Sequence, residues 1–371
     1  MKRFSFLYLI VLIHLYSCSS DSSMESDITN EFDRSSMLTN WADNIIIPSY
    51  SNYITLVDAM QAAAMDFVND PSESMLTDLR DKWENSYTGW QEVALFNIGP
   101  AETEKLLVYT NIYPTDVTKI KENIEELEGD YNLELSSRYD EQGYPALEYM
   151  IYGLSSDNAE LISYYTTDPN ATYYKKYLTD IVTRLQTLTK KVVDGWGDGY
   201  RDDFIALDGS DASSSVNQMT NDYMYYYEKF LRAGKVGIPA GKFSSSTKPN
   251  SAEAIYHGAL SKQLFERALE TCQNFFNGIH YDTDENGIGL KDYLDALNED
   301  DTSLGDTIDD QFKSIKTVAI QLNDDFKTQI EIDKTPILET YDELQKNVIN
   351  MKVDMFSLLS IQVDYVDADG D

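Results

Sequence analysis

The sequence predicts an all-α fold made of two helical bundles. Three observations carry that expectation. Apolar residues recur at i, i+3, i+4 and i+7 through most of the chain. Strand-like alternation is confined to Ile361–Tyr365. Roughly 330 residues follow an N-terminal leader, enough for two bundles.

The leader comes first. Lys2 and Arg3 precede an apolar run from Phe4 to Leu15, and Leu15-Tyr16-Ser17-Cys18 ends it. This arrangement reads as a lipoprotein signal over residues 1–17, with Cys18 as the lipidated N-terminus after cleavage. The apolar run is shorter than the roughly 20 residues that span a bilayer. Residues 18–37 are Ser- and Asp-rich without periodicity, and read as a flexible tether. With Cys18 lipidated, only Cys272 remains inside the fold, beside Leu269 and Phe276, so it reads as a buried hydrophobe and no internal disulfide is available.

Residues 38–205 are expected to form the first bundle. Ile54, Val57, Met60, Ala64 and Phe67 make one stripe, which ends at Asn69-Asp70-Pro71. Leu76, Leu79, Trp83, Tyr87, Trp90 and Ala94 mark a helix from about Ser74 to Phe96. Trp90 lies late in it and reads either as a core knob or as a crevice residue. Asp116 suits an N-cap for a helix through Leu127. Leu178, Ile181, Val182, Leu185, Leu188 and Val192 stripe a helix from Tyr173 to Trp196.

Between these lies the most informative stretch, Glu141–Gly153. Gly143 permits a sharp turn, and Pro145 suits a helix start. Leu147, Met150, Ile151 and Leu154 form an apolar stripe, with Glu148 on its flank. Glu148 is therefore either a partly buried, hydrogen-bonded acid or a group that meets a ligand in a crevice.

Residues 206–371 are expected to form the second bundle. Tyr223, Tyr226, Tyr227 and Phe230 share a helical face, which is either packed core or an aromatic wall beside a ligand. Ser251 is expected to open a long helix that includes His257 and ends at Phe275-Phe276-Asn277-Gly278. Further helices are expected over Thr307–Thr328, Lys334–Ile349 and Lys352–Leu359. Asp282, Asp284, Asn286 and Gly287 match the first positions of a calcium loop, but Gly289 and Tyr293 break its later ones. That stretch reads as a structural turn, with a weak Ca²⁺ site as the alternative.

Several of these stretches resemble the imelysin family, which is classed among the metallopeptidases. They are the tryptophan-bearing helix ending in Asn97-Ile98-Gly99-Pro100, the Tyr113-Pro114-Thr115-Asp116 entry, Ile238-Pro239-Ala240-Gly241 and the acidic C-terminus. Aligned on Gly143, the family's G-x-H-x-x-E histidine position is occupied by Pro145, and its glutamate by Glu148. The resemblance implies two bundles side by side, with the motif helix at a crevice between them. A ligand site is expected at Gly143, Pro145 and Glu148, with Trp90 and Tyr223 beside it as the crevice readings of their helices. A divalent cation such as iron or calcium would be held by Glu148, or by Asp282, Asp284 and Asn286. A link to iron uptake at an outer membrane is implied in the same way.

Composition narrows the partners. Losing Lys2 and Arg3 with the leader takes the formal charge from −35 to −37, which repels nucleic acid. The sequence has three histidines, and His14 leaves with the leader, so His257 and His280 are the only imidazoles left for a peptidase. No H-E-x-x-H or G-x-S-x-G occurs. A non-catalytic ligand- or metal-binding lipoprotein is therefore expected. It would be monomeric, anchored through Cys18, and would face the periplasm or the cell surface beside an outer-membrane uptake system. A metallopeptidase with a degenerate site and a carbohydrate or peptide binder are the alternatives.

Overall fold

Asp33 accepts a hydrogen bond from the Ser36 backbone N–H at 2.9 Å and so starts the first helix. In the computed structural model, which describes residues 32–297 and 303–365, helix then runs unbroken through Arg34–Asn40, Trp41–Ile46 and Ile47–Asn69. The middle stretch is wound in wide π-type turns. Pro48 follows directly, and a locally widened helix accommodates a residue that cannot donate an N–H. The tether expected to reach residue 37 therefore stops sooner, because Met37 is already fully buried. Cys18 and most of the expected tether lie outside the described residues.

Ser72 caps Glu73–Trp90, accepting from the Met75 N–H. This helix stops at Trp90, short of the expected Phe96. Val93, Ala94, Leu95 and Phe96 are all buried, but in turns. A short apolar run looks the same in a buried turn as in a helix. Asp116 caps Val117–Lys121 as expected, with bonds from Thr118 and Lys119. The long helix Ala171–Gly195 buries the anticipated stripe from Leu178 to Val192. It packs on Ile47–Asn69, which also packs on Glu73–Trp90.

The second group is built on Tyr226–Gly237, Leu304–Ala319 and Thr335–Val348. Ser261–Phe276 touches both groups, meeting Glu73–Trp90 on one side and Leu304–Ala319 on the other. The described residues from Asp33 onward accordingly cluster as one compact unit. The helix expected over Thr307–Thr328 is two helices, because Asp325 caps Phe326–Ile332 through Thr328.

No strand forms among the described residues. Ile361–Tyr365, which alternates like one, is held by a side chain instead. The Asn221 amide donates to the Gln362 carbonyl at 3.1 Å, and its oxygen accepts from the Asp364 N–H at 3.2 Å. No described helix is long and apolar enough to cross a membrane. Cys272 is buried and free, and burial pushes its thiol pKa up.

Candidate ligand-binding site

The motif segment is a helix, Gly143–Glu148, continued by wide turns over Tyr149–Gly153. Gly143 has φ +75°, and a Cβ there would lie 2.1 Å from the Thr110 carbonyl oxygen. Only glycine can both take that conformation and approach that backbone. Pro145 sits in the first turn, where a helix does not need its N–H. Tyr144 is fully buried, stacks on Tyr87 at 4.4 Å, and lies in hydrogen-bond contact with the Tyr53 and Ser86 hydroxyls.

Glu148 is 2% exposed. Its Oε1 accepts hydrogen bonds from the backbone N–H groups of Tyr256 and His257, both at 2.7 Å. Burial pushes its pKa up to about 8, and the negative charge of Glu253 adds to the rise; the two N–H bonds oppose it. Near neutral pH the group is therefore mainly a neutral acid, and one of its two oxygens, Oε1, is already taken. Glu148 is thus buried and hydrogen-bonded through Oε1.

Those two bonds explain why no helix begins at Ser251. Ala252–His257 is irregular, with Ala254 at φ +59°. The N–H groups of Tyr256 and His257 point at Glu148 and cannot serve a helix. The helix expected around His257 is thus absent, and an irregular segment delivers this residue to the motif. Its ring stacks on Tyr152 at 4.6 Å and meets Trp83 edge-on at 6.2 Å. Its Nε2 lies 3.4 Å from Glu84 Oε2, and both side chains reach solvent. The Arg80 guanidinium covers Tyr152 at 4.3 Å and donates to the Ile151 carbonyl. Gly153 leaves room for the Tyr256 ring, which is 37% exposed.

The outward-facing groups are thus His257, Glu84, Tyr152, Arg80 and Tyr256, and sequence reasoning named none of them as a site. The one available signal was that His257 is one of two imidazoles beyond the leader. Pairing it with Glu148 required the fold.

The other expected site residues lie elsewhere. Trp90 is 2% exposed and packs against Tyr53 at 5.8 Å. Tyr223 is fully buried, and its hydroxyl donates to the Cys272 carbonyl at 3.1 Å, so it is a core residue and not an aromatic wall. Asp282, Asp284 and Asn286 belong to a tight hairpin. Ile279 bridges Asn286, and the His280 N–H donates to the Glu285 carbonyl at 2.8 Å. The backbone pairs with itself across the turn.

A metal at the motif does not fit these residues. Pro145 has no donor atom, and two N–H dipoles already point at Glu148 Oε1. Among the described residues, no group of three or more His, Cys, Asp or Glu is placed to hold a metal ion.

The family model described as Peptidase_M75: Imelysin matches residues 46–349. Among solved structures, an imelysin-like protein from Psychrobacter arcticum 273-4 is similar at 19% identity and a TM-score of 0.66, covering 90% of this chain and 97% of that one. A putative iron-regulated protein A precursor from Parabacteroides distasonis ATCC 8503 is similar at 17% identity and a TM-score of 0.72, covering 88% and 95%. No curated protein matches.

Proposed function

Because the chain belongs to the imelysin family, we propose that it is a non-catalytic binding protein of the cell envelope, serving iron acquisition. One observation supports the non-catalytic reading above the others. One oxygen of the family motif's acid holds two backbone N–H groups, and proline stands where the motif histidine would be. A hydrolytic metal centre needs about three protein ligands and an open position. Glu148 acts instead as a pin that orders Ala252–His257 and presents His257 outward. The ligand meets the His257–Glu84 pair and the Tyr152 and Tyr256 rings. That surface suits a molecule with hydrogen-bonding groups and a flat face.

The iron link is supported by the description of the Parabacteroides distasonis structure as an iron-regulated protein precursor. Anchorage through a lipid on Cys18 and placement at the outer membrane complete the proposal. Metabolic labelling with a fatty-acid analogue tests the anchor, and loss of label in Cys18→Ala is expected.

The functional test has two arms. An unfolded protein substrate is incubated with the chain and added Zn²⁺, and no cleavage is expected. Chelator-sensitive turnover would instead support the metallopeptidase reading. Ferrous and ferric ions are then titrated against wild type, Glu148→Gln and His257→Ala. Glu148→Gln should behave as wild type, since the amide oxygen still accepts both N–H groups. Affinity for bare iron that vanishes in Glu148→Gln would make the carboxylate a ligand and defeat the reading of Glu148 as a pin.

A further inference from the structure

Behind the motif lies a second, fully internal polar cluster. Glu253 is 2% exposed and Lys235 3% exposed, and they form an ion pair between Lys235 Nζ and Glu253 Oε2. The other carboxylate oxygen, Oε1, accepts from Asn111 Nδ2 at 2.7 Å and from Gln91 Nε2 at 3.3 Å. The Tyr87 hydroxyl donates to Asn111 Oδ1 at 2.6 Å. These bonds fix both amide orientations by chemistry. A carboxylate only accepts, so Gln91 must turn its NH₂ toward Glu253 and its oxygen away.

That oxygen, Gln91 Oε1, is buried and has no hydrogen-bond partner in the protein. Gln91 itself is 0% exposed. It borders a cavity of about 10 Å³ whose lining also includes Lys235, Asn111, Tyr113 and Tyr226. Lys235 has three N–H donors, and Glu253 takes one of them.

We propose that Gln91 and Lys235 hold a single buried water molecule, which accepts from the lysine ammonium and donates to the glutamine oxygen. Size decides the ligand. A cavity needs about 10–15 Å³ of such volume to hold one water, together with two to four polar partners. This cavity meets the lower bound, and Gln91 and Lys235, the carriers of the unmet amide oxygen and the ammonium, both line it. A larger solute does not fit, and a cation would meet the lysine. The water joins the turn after Trp90 to the Tyr226–Gly237 stretch, so it links the two groups of helices at a point where direct contact leaves an acceptor unmet.

The test is a crystal structure of the chain at a resolution where other buried waters are visible. One oxygen peak is expected within hydrogen-bond distance of both Lys235 Nζ and Gln91 Oε1. An empty cavity, or a peak that touches the lysine but not the amide, overturns the proposal. In solution, oxygen-17 relaxation dispersion should count one fewer long-lived water in Gln91→Leu than in wild type. An unchanged count in the folded variant also overturns it. If that variant fails to fold, the wild-type crystal decides alone.

Discussion

Replacing Glu148 by Gln should change how stability depends on pH, and the structure gives the sign and the size. The acid titrates at about 8 in the folded chain, against an ordinary value of 4.5. Between those two values the folded state binds more protons than the unfolded state. The stability this group contributes is therefore full below about pH 4.5 and falls as pH rises toward 8. A rise of about 3.5, at about 1.4 kcal/mol each, amounts to roughly 5 kcal/mol. The substituted amide does not titrate, yet its oxygen can accept the same two N–H bonds. The assay is chemical denaturation of wild type and Glu148→Gln at several pH values from 5 to 9. Subtracting the two curves cancels every other titrating group, including Asp222, whose pKa burial and the nearby Glu102 and Asp364 charges also raise to about 8. Relative to the variant, the wild type should lose several kcal/mol from the acid to the alkaline end. Parallel curves would refute the claim that Glu148 is desolvated and internally bonded.

Other outcomes follow from the same contacts. Gly143→Ala should cost about 3 kcal/mol or more, because the new Cβ meets the Thr110 carbonyl oxygen at a positive φ; urea titration measures it. Lys235→Met leaves Glu253 buried and unpaired and should cost about 3–5 kcal/mol, whereas the double variant Lys235→Met/Glu253→Gln should recover much of that loss. His257→Ala removes a half-exposed ring that stacks on Tyr152 and should cost only about 1 kcal/mol, while abolishing ligand uptake if the proposed surface is correct; thermal melts and binding isotherms separate the two effects. Asp222→Asn should raise stability most at pH 9 and less at pH 5, since the stability this acid contributes is full below its ordinary value of 3.8 and is lost as pH rises toward 8.

The fold class, the Asp116 cap, the stripe of the Ala171–Gly195 helix and the burial of Cys272 were all legible in the order of residues. These are local properties, written in spacing and composition. The family was legible too, through short stretches in a fixed order, and so was the requirement for glycine at 143. Contacts across the fold settle something else: where backbone donors go when they leave a helix. Tyr256 and His257 look helical in sequence, yet their N–H groups bond a carboxylate 108 and 109 positions away. The same holds for Asn221, whose amide takes the place of a neighbouring strand for residues 362–364. Periodicity records which face of a segment is apolar. It does not record a partner brought by a distant turn, and at this site burial by distant segments sets the charge of Glu148 while its bonds to them set the position of His257.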